Sequence, residues 1–166
     1  MNVGYFMPSP LGDIALVPDG DALAGAFFVG EKYFPALARG QGAAPDIVRR
    51  AREQLQEFFL GRRRVFDLPL RLHGTPFQRR VWQALLGIPY GTVVSYGELA
   101  RSMGLGSGHS RAVGSANGRN PVSIIVPCHR VIGENGALTG YAAGLPRKQA
   151  LLSLERAPGM ALPLAF

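Results

Sequence analysis

The spacing of apolar residues changes near residues 72–74, and this change divides the chain of 166 residues into two parts. Before it, short apolar runs alternate with turn-forming Pro, Gly and Asp, a pattern typical of β-strands. After it, apolar residues recur at helical spacing. The sequence therefore predicts an α+β protein, with a small β-sheet plus helix domain over residues 1–72 and a mainly helical domain over residues 73–166.

The first part contains apolar runs bounded by turn residues. Strands are predicted over residues 2–7, 12–17, 22–29 and 65–72. The last of these is interrupted by Pro69, which cannot donate a backbone hydrogen bond. Between the third and fourth strands, apolar residues on one face predict a helix over residues 46–60, which Gly61 ends.

The second part begins with a helix signal, since Thr75 can cap, Pro76 suits the first turn and Gln78 can complete a capping box. Ser95 and Glu98 repeat the capping pattern. Helices are therefore predicted from residues 75 and 95, and over residues 109–118 and 146–155. The two central helices, joined by a tight turn, form a helix-turn-helix pattern, which ordinary helical hairpins share.

The chain is basic, with 18 Lys and Arg against 11 Asp and Glu and a net charge of +7. This excess predicts a polyanionic partner such as nucleic acid, although solubility alone can also account for it. The triplet Arg62-Arg63-Arg64 is interpreted as a solvated surface run. No apolar stretch is long enough to span a membrane, and the first residues lack a secretory pattern.

Cys128 is the only cysteine of the chain, and Pro127 precedes it while His129 and Arg130 follow. A disulfide within the chain and a Cys-rich metal site are therefore excluded. An isolated cysteine is most often a small buried apolar residue. Here, however, basic neighbours favour the thiolate, which is the nucleophilic form. Cys128 is thus a candidate nucleophile.

Several motifs accompany Cys128. In chain order they are Thr75-Pro76-Phe77-Gln78, Val81-Trp82, Ile88-Pro89-Tyr90-Gly91, Arg111-Ala112-Val113-Gly114, Asn117-Gly118-Arg119-Asn120-Pro121, Pro127-Cys128-His129-Arg130-Val131-Ile132-Gly133 and Thr139-Gly140-Tyr141. Together they resemble the O6-alkylguanine-DNA alkyltransferases, also called methylated-DNA–protein-cysteine methyltransferases. The resemblance is strong over residues 75–155. The first part resembles the family's smaller, ribonuclease-H-like domain only in length and pattern.

The resemblance implies direct-reversal DNA repair. The protein is expected to flip an O6-alkylguanine nucleotide out of duplex DNA through the minor groove, because a base inside the stack is out of reach. A thiolate then displaces guanine from the alkyl carbon, and O4-alkylthymine is an expected second substrate. The thioether product has no good leaving group, so each molecule reacts once. No cofactor and no metal ion are expected.

The resemblance also implies a catalytic set. Cys128 accepts the alkyl group, His129 relays the thiol proton through water, and Glu155 orients His129. Asn120 supports the turn around the site. Tyr96 helps to flip the nucleotide and donates a hydrogen bond to the guanine ring.

DNA contacts are implied mainly for the helix over residues 109–118. Arg111 matches the family's intercalating arginine, whose guanidinium can stack in the gap left by the base. The other residues implied at the DNA interface are Tyr96, Ala112, Gly114, Ser115 and Asn117. Small side chains suit a minor groove about 6 Å wide, although they also permit close helix packing. The residues implied to line the base pocket are Pro127, Val131, Tyr141, Ala142 and Ala143.

Two departures from the family pattern affect these expectations. Residues 106–110 replace the usual Pro-Ala-Ala-type lead into Arg111, so the turn is expected to be more flexible. Ala143 stands where glycine is usual, and its methyl group is expected to limit bulky alkyl groups.

Three other interpretations remain open from the residues. They are a damage-binding protein of the alkyltransferase-like type, a cysteine hydrolase using Cys128 and His129, and a helix-turn-helix regulator without chemistry. The expected partner is double-stranded DNA with alkylated bases, bound by a monomer in the cytoplasm. No membrane association is expected, and cooperative assembly on DNA is left open.

Overall fold

The computed structural model describes residues 2–157 as two compact units. The first contains the residues up to His73 together with Pro121–Ile125, and the second contains Gly74–Asn120 and the residues from Val126 onwards. Residues 121–125, placed in the second domain by the sequence, thus pack with the first unit, where Ala26 N donates to Pro121 O at 2.9 Å. The end of the predicted second domain, residues 158–166, lies outside the described residues.

The first unit is built on a four-stranded sheet in the order β3-β2-β1-β4. Its strands are β1 (Asn2–Met7), β2 (Ile14–Asp19), β3 (Ala22–Phe28) and β4 (Leu37–Arg39). Neighbours among the first three are antiparallel, and the unpredicted β4 is parallel to β1. The prediction of a strand over residues 65–72 is wrong, because only an isolated β-bridge forms there, between Leu70 and Leu23.

One helix covers this sheet. Helix α1 (Asp46–Phe59) packs against β2 and β3. Its inward face is apolar, and Val48, Leu55 and Phe58 are fully buried. Gly61 follows with a φ of 74°, the left-handed conformation that ends helices at low cost for glycine.

The second unit contains α2 (Pro76–Leu85), α3 (Tyr96–Ser102), α4 (Ser110–Gly118) and α5 (Leu145–Leu154). The first three pack against one another, and α3 and α4 form the predicted helix-turn-helix. Both predicted capping boxes are present, at Thr75 and at Ser95. A short parallel pair, β5 (Val94–Ser95) and β6 (Val131–Ile132), was not predicted.

Among residues 2–157, no helix is both long and apolar enough to cross a membrane. The same residues contain no cluster of His, Cys, Asp and Glu that could hold a metal ion.

Candidate active site

Cys128 opens a short 3-10 turn, Cys128–Arg130, that leads directly into β6. Pro127, with φ −83° and ψ 62°, adopts an inverse γ-turn, and Cys128 N donates to Val126 O at 2.8 Å. Asn120 Nδ2 donates to the same carbonyl at 2.7 Å. The backbone before the thiol is therefore held from two sides, and Cys128 is only 5% exposed.

Glu155, which follows α5, is the centre of a buried hydrogen-bond network. Its Oε2 lies 2.7 Å from His129 Nε2 and accepts from Arg130 Nη2 at 2.9 Å. Its Oε1 accepts from Arg130 Nε at 2.9 Å and from Gly91 N at 3.2 Å. The side chains of His129 and Glu155 are 0% exposed. Both residues were predicted, but the role of Arg130 as the charge partner was not.

The protonation states of this network follow from its charges. Burial alone would raise the pKa of Glu155, but the hydrogen bonds and charges of His129 and Arg130 lower it to about 2. Burial lowers the pKa of His129, although Glu155 opposes this. Because Arg130 already balances the carboxylate, we assign His129 as neutral, with the proton on Nε2. Its Nδ1 is then a base, and it has no hydrogen-bond partner among the described residues.

Lys148 is a site residue that the sequence analysis missed. It lies in α5 with 0% exposure, and its Nζ donates to Thr139 O at 2.7 Å and to Gly140 O at 3.3 Å. Burial lowers the pKa of Lys148 to about 8, and the charge of Cys128 opposes this shift. Lys148 therefore couples electrostatically to the thiol.

A sequence signal for Lys148 existed. Helical spacing places four residues on one face, namely Lys148, Leu151, Leu152 and Glu155. A charged residue therefore lies at each end of this apolar stretch.

Tyr96 is the first residue of α3 and lies beside the same groups. Its hydroxyl donates to Thr139 O at 3.3 Å. Burial raises the pKa of the phenol, and the charge of Cys128 adds to this effect. A methyl group at Gly114 would lie 3.5 Å from the Tyr96 ring, so α4 approaches it closely. The structure thus brings Tyr96, Cys128 and Lys148 into one electrostatic environment.

The residues predicted to contact DNA separate into two groups. Arg111, Ala112 and Ser115 are exposed on α4, and Gly114 is half-buried. Asn117 is only 3% exposed, and its Nδ2 lies 3.4 Å from Cys128 O. The predicted DNA contact of Asn117 does not fit this position, because protein atoms cover the side chain.

The residues predicted to line the base pocket lie in two segments of the chain. Pro127 and Val131 flank the turn and are buried. Tyr141 and Ala142 are half-buried, and Ala143 is buried in the segment before α5. The unusual lead into Arg111 forms a 3-10 turn, Ser107–His109.

Comparison with known proteins gives a family for this arrangement. The family model described as 6-O-methylguanine DNA methyltransferase, DNA binding domain, matches residues 76–157, and the model of the ribonuclease-like domain of the same protein matches residues 3–72. The chain belongs to the 6-O-methylguanine DNA methyltransferase family.

Curated relatives agree over most of their length. The chain is 48% identical over 148 residues to the methylated-DNA–protein-cysteine methyltransferase of Mycobacterium tuberculosis (strain H37Rv), covering 89% of this chain and 88% of the relative. It is 43% identical over 161 residues to the constitutive methyltransferase of Bacillus subtilis, covering 94% and 96%.

Solved structures show the same fold. The O6-methylguanine methyltransferase of M. tuberculosis superposes with a TM-score of 0.84 at 45% identity, covering 96% of both chains. A structure of the M. tuberculosis protein in complex with DNA also gives a TM-score of 0.84 at 45% identity, covering 95% of this chain and 96% of that chain. The predicted family and α+β fold class are confirmed, and the chain is a methylated-DNA–protein-cysteine S-methyltransferase of DNA repair.

Proposed function

We propose that this methyltransferase moves the alkyl group of O6-alkylguanine in double-stranded DNA to Cys128, and that O4-alkylthymine is a second substrate. One observation carries the proposal. The only cysteine of the chain lies in a turn held by Asn120, next to the buried network of His129, Arg130 and Glu155. A thiol in this setting has a base, a fixed position and limited access to water.

The network supports a proton relay from the thiol. Glu155 holds His129 through Nε2, which leaves Nδ1 to take the thiol proton through a bridging water molecule. The positive charge of Lys148 favours the thiolate that results. His129 and Lys148 thus raise the nucleophilicity of sulfur, while Asn120 keeps it in place.

The proposed alkyl transfer is a displacement at carbon. Sulfur forms a bond to the alkyl carbon as the bond from that carbon to guanine O6 breaks, and the electron pair goes to the base. Tyr96 donates a hydrogen bond to the leaving guanine, which finally gains the proton that the thiol lost. The thioether cannot be hydrolysed easily, so each protein molecule reacts once.

The exposed face of α4 is the proposed DNA surface. Residues 74–157 contain nine basic and three acidic side chains, whereas residues 1–73 contain nine and eight. Ala112 and Ser115 are small enough for a minor groove about 6 Å wide, and Arg111 is free to enter the gap left by a flipped base. A structural relative from M. tuberculosis was crystallised in complex with DNA, which supports DNA as the partner of this chain.

The flipped base is proposed to bind between Tyr96 and the segment Tyr141, Ala142 and Ala143, with Val131 and Pro127 beside the sulfur. We further propose two domains, residues 1–72 and 73–166, and a monomer that can assemble cooperatively on DNA. Its proposed location is the cytoplasm, with association to the nucleoid when it is on DNA. A reducing compartment fits a cysteine that acts as a thiol and forms no disulfide.

The proposal is tested with duplex DNA that contains one O6-methylguanine. Mass spectrometry of peptides should find one added methyl group, on the peptide with Cys128, and one equivalent per protein molecule. Cys128→Ser should abolish transfer and keep DNA binding. Methyl transfer by that variant, or repeated turnover by the wild type, contradicts the proposal.

The flipping role of Arg111 has its own control. Arg111→Ala should slow repair of duplex DNA much more than reaction with the free base O6-methylguanine, because only the duplex leaves a gap to fill. Arg119→Ala, which removes another exposed basic side chain at the end of α4, is the matched variant. Equal losses on both substrates would exclude this role.

A further inference from the structure

The segment between β6 and α5, residues 133–144, is here called the pocket loop. It contains Tyr141, Ala142 and Ala143, which are proposed to contact the flipped base. Two hydrogen bonds hold its centre, because Tyr96 Oη and Lys148 Nζ both donate to Thr139 O. A third hydrogen bond anchors its beginning, where Glu134 Oε1 accepts from Gly97 N at 2.9 Å. Sequence reasoning assigned no role to Glu134.

The hydrogen bond between Gly97 N and Glu134 follows from the register of the parallel strands. Ser95 pairs with Ile132, so the chain after β5 runs beside the chain after β6. Gly97 is the second residue of α3, where backbone N–H groups have no acceptor within the helix. A carboxylate is a favourable acceptor at this end of a helix, and its charge strengthens the hydrogen bond.

Gly97 leaves the space that Glu134 occupies. A methyl carbon on Gly97 would overlap Glu134 Oε1 and lie 3.3 Å from Arg101 Nη1. The backbone of Gly97 is helical and does not itself require glycine. An alanine there would therefore suit the helix but displace the Glu134 carboxylate.

We propose that Glu134 is a positioning residue for base binding, an inference that rests on the proposed function. It fixes the start of the pocket loop to the helix that begins with Tyr96. It thereby sets the separation between Tyr96 and the loop, between which the flipped base binds. Glu134 acts through the loop and not on the sulfur, so it changes the binding of the base and leaves the displacement step unaltered.

The test compares two substitutions that remove the same hydrogen bond, between Gly97 N and Glu134. Glu134→Ala removes the acceptor, and Gly97→Ala displaces it while favouring the helix. Methyl transfer is measured in single turnovers at increasing protein concentration, which gives a half-saturating concentration and a maximal rate. Each variant should raise the half-saturating concentration about three- to tenfold and keep the maximal rate within about twofold.

Three further variants sharpen the test. The double variant should be no worse than either single one, because both remove the same contact. Glu134→Gln keeps an acceptor oxygen and should recover most of the loss. Glu53→Ala removes an exposed carboxylate on α1 and should change nothing.

A second readout needs no DNA. Hydrogen exchange at the Gly97 amide and in the pocket loop should become faster in Glu134→Ala and Gly97→Ala. Suppose that the wild type transfers methyl groups but the variants keep its half-saturating concentration and its rate of hydrogen exchange. The positioning role of Glu134 is then overturned, while the proposed function stands. A fall in maximal rate without a change in half-saturation also overturns it. A wild type that transfers no methyl group overturns the proposed function, and this role with it.

Discussion

The two units bury different kinds of polar side chain. Among the described residues of the first unit, the buried polar side chains are Glu31, Gln54 and Ser123. Among those of the second, they are Ser95, Asn117, Asn120, His129, Arg130, Lys148 and Glu155. Four of the latter are ionisable, and burying charge is costly unless the charges are paired.

The partners of these groups differ in the same way. Gln54 bonds the backbone of Asp67, so it holds the path of the chain. Glu155 bonds two ionisable side chains, one of which is next to the thiol. Buried polar groups in the first unit thus bond the backbone and serve the fold, whereas the ionisable groups buried in the second form the network that is proposed to serve the reaction.

Replacing Glu155 should have the largest effect on the second unit. Glu155→Gln keeps the shape of the side chain but leaves Arg130 without a charge partner, so we expect a loss of about 3–5 kcal/mol in the free energy of unfolding. Trp82 is the only tryptophan, is buried in the second unit, and reports on its unfolding in urea. Methyl transfer should fall as well, because His129 loses its orientation.

Glu53→Gln is the matched control for this prediction, since Glu53 is exposed and should contribute less than about 0.5 kcal/mol. Equal stability of the two variants would show that the buried network does not support the second unit.

Lys148 gives a second test, in which stability and activity move in opposite directions. Its pKa is about 8 in the folded protein and 10.5 ordinarily, so the unfolded chain binds more protons between these values. Stability should therefore rise with pH across this window, by about 3 kcal/mol in total. The rate of methyl transfer should fall over the same range, because the charge that favours the thiolate disappears.

Lys148→Met isolates this effect. The variant should transfer methyl groups about tenfold more slowly at neutral pH, and both pH dependences should be absent from it. Measurements of urea unfolding and of single-turnover rates from pH 7 to pH 10.5 check this. Identical pH profiles for the variant and the wild type would mean that another group titrates.

Local patterns account for the correct sequence predictions of the fold. The capping boxes at Thr75 and Ser95 and the end of α1 at Gly61 depend on residues within one helical turn of each other. The strand β4 has three residues, and the pair β5 and β6 has two residues each. Such short strands depend on distant partners and show no periodicity that a sequence could reveal.

The candidate site shows the same division. Family motifs predicted Cys128, His129 and Glu155, which the structure brings together. The motif placed Asn117 at the DNA interface, but only the packing of α4 shows that it faces inwards. Lys148 was missed because a lysine in a helix is usually exposed, so its place at the end of an apolar face was not interpreted as burial. The loop carbonyls that accept from its Nζ show how the buried charge is satisfied.

Gln54 provides the smallest expected effect and tests the first unit. Its Nε2 donates to Asp67 O at 2.9 Å, and its Oε1 accepts from Asp67 N at 2.8 Å, which pins the chain after α1. Gln54→Ala should lower the free energy of unfolding by about 1–2 kcal/mol, because two backbone groups lose their partner.

The exposed Gln56 on the same helix gives a matched control, Gln56→Ala, with little effect. Circular dichroism in urea measures stability, and the transfer rate of Gln54→Ala should stay within about twofold of the wild type, since its bonds serve the fold alone. A large loss of transfer in a variant that remains folded would show that the first unit takes part in the reaction, and the contrast between the units would then be wrong.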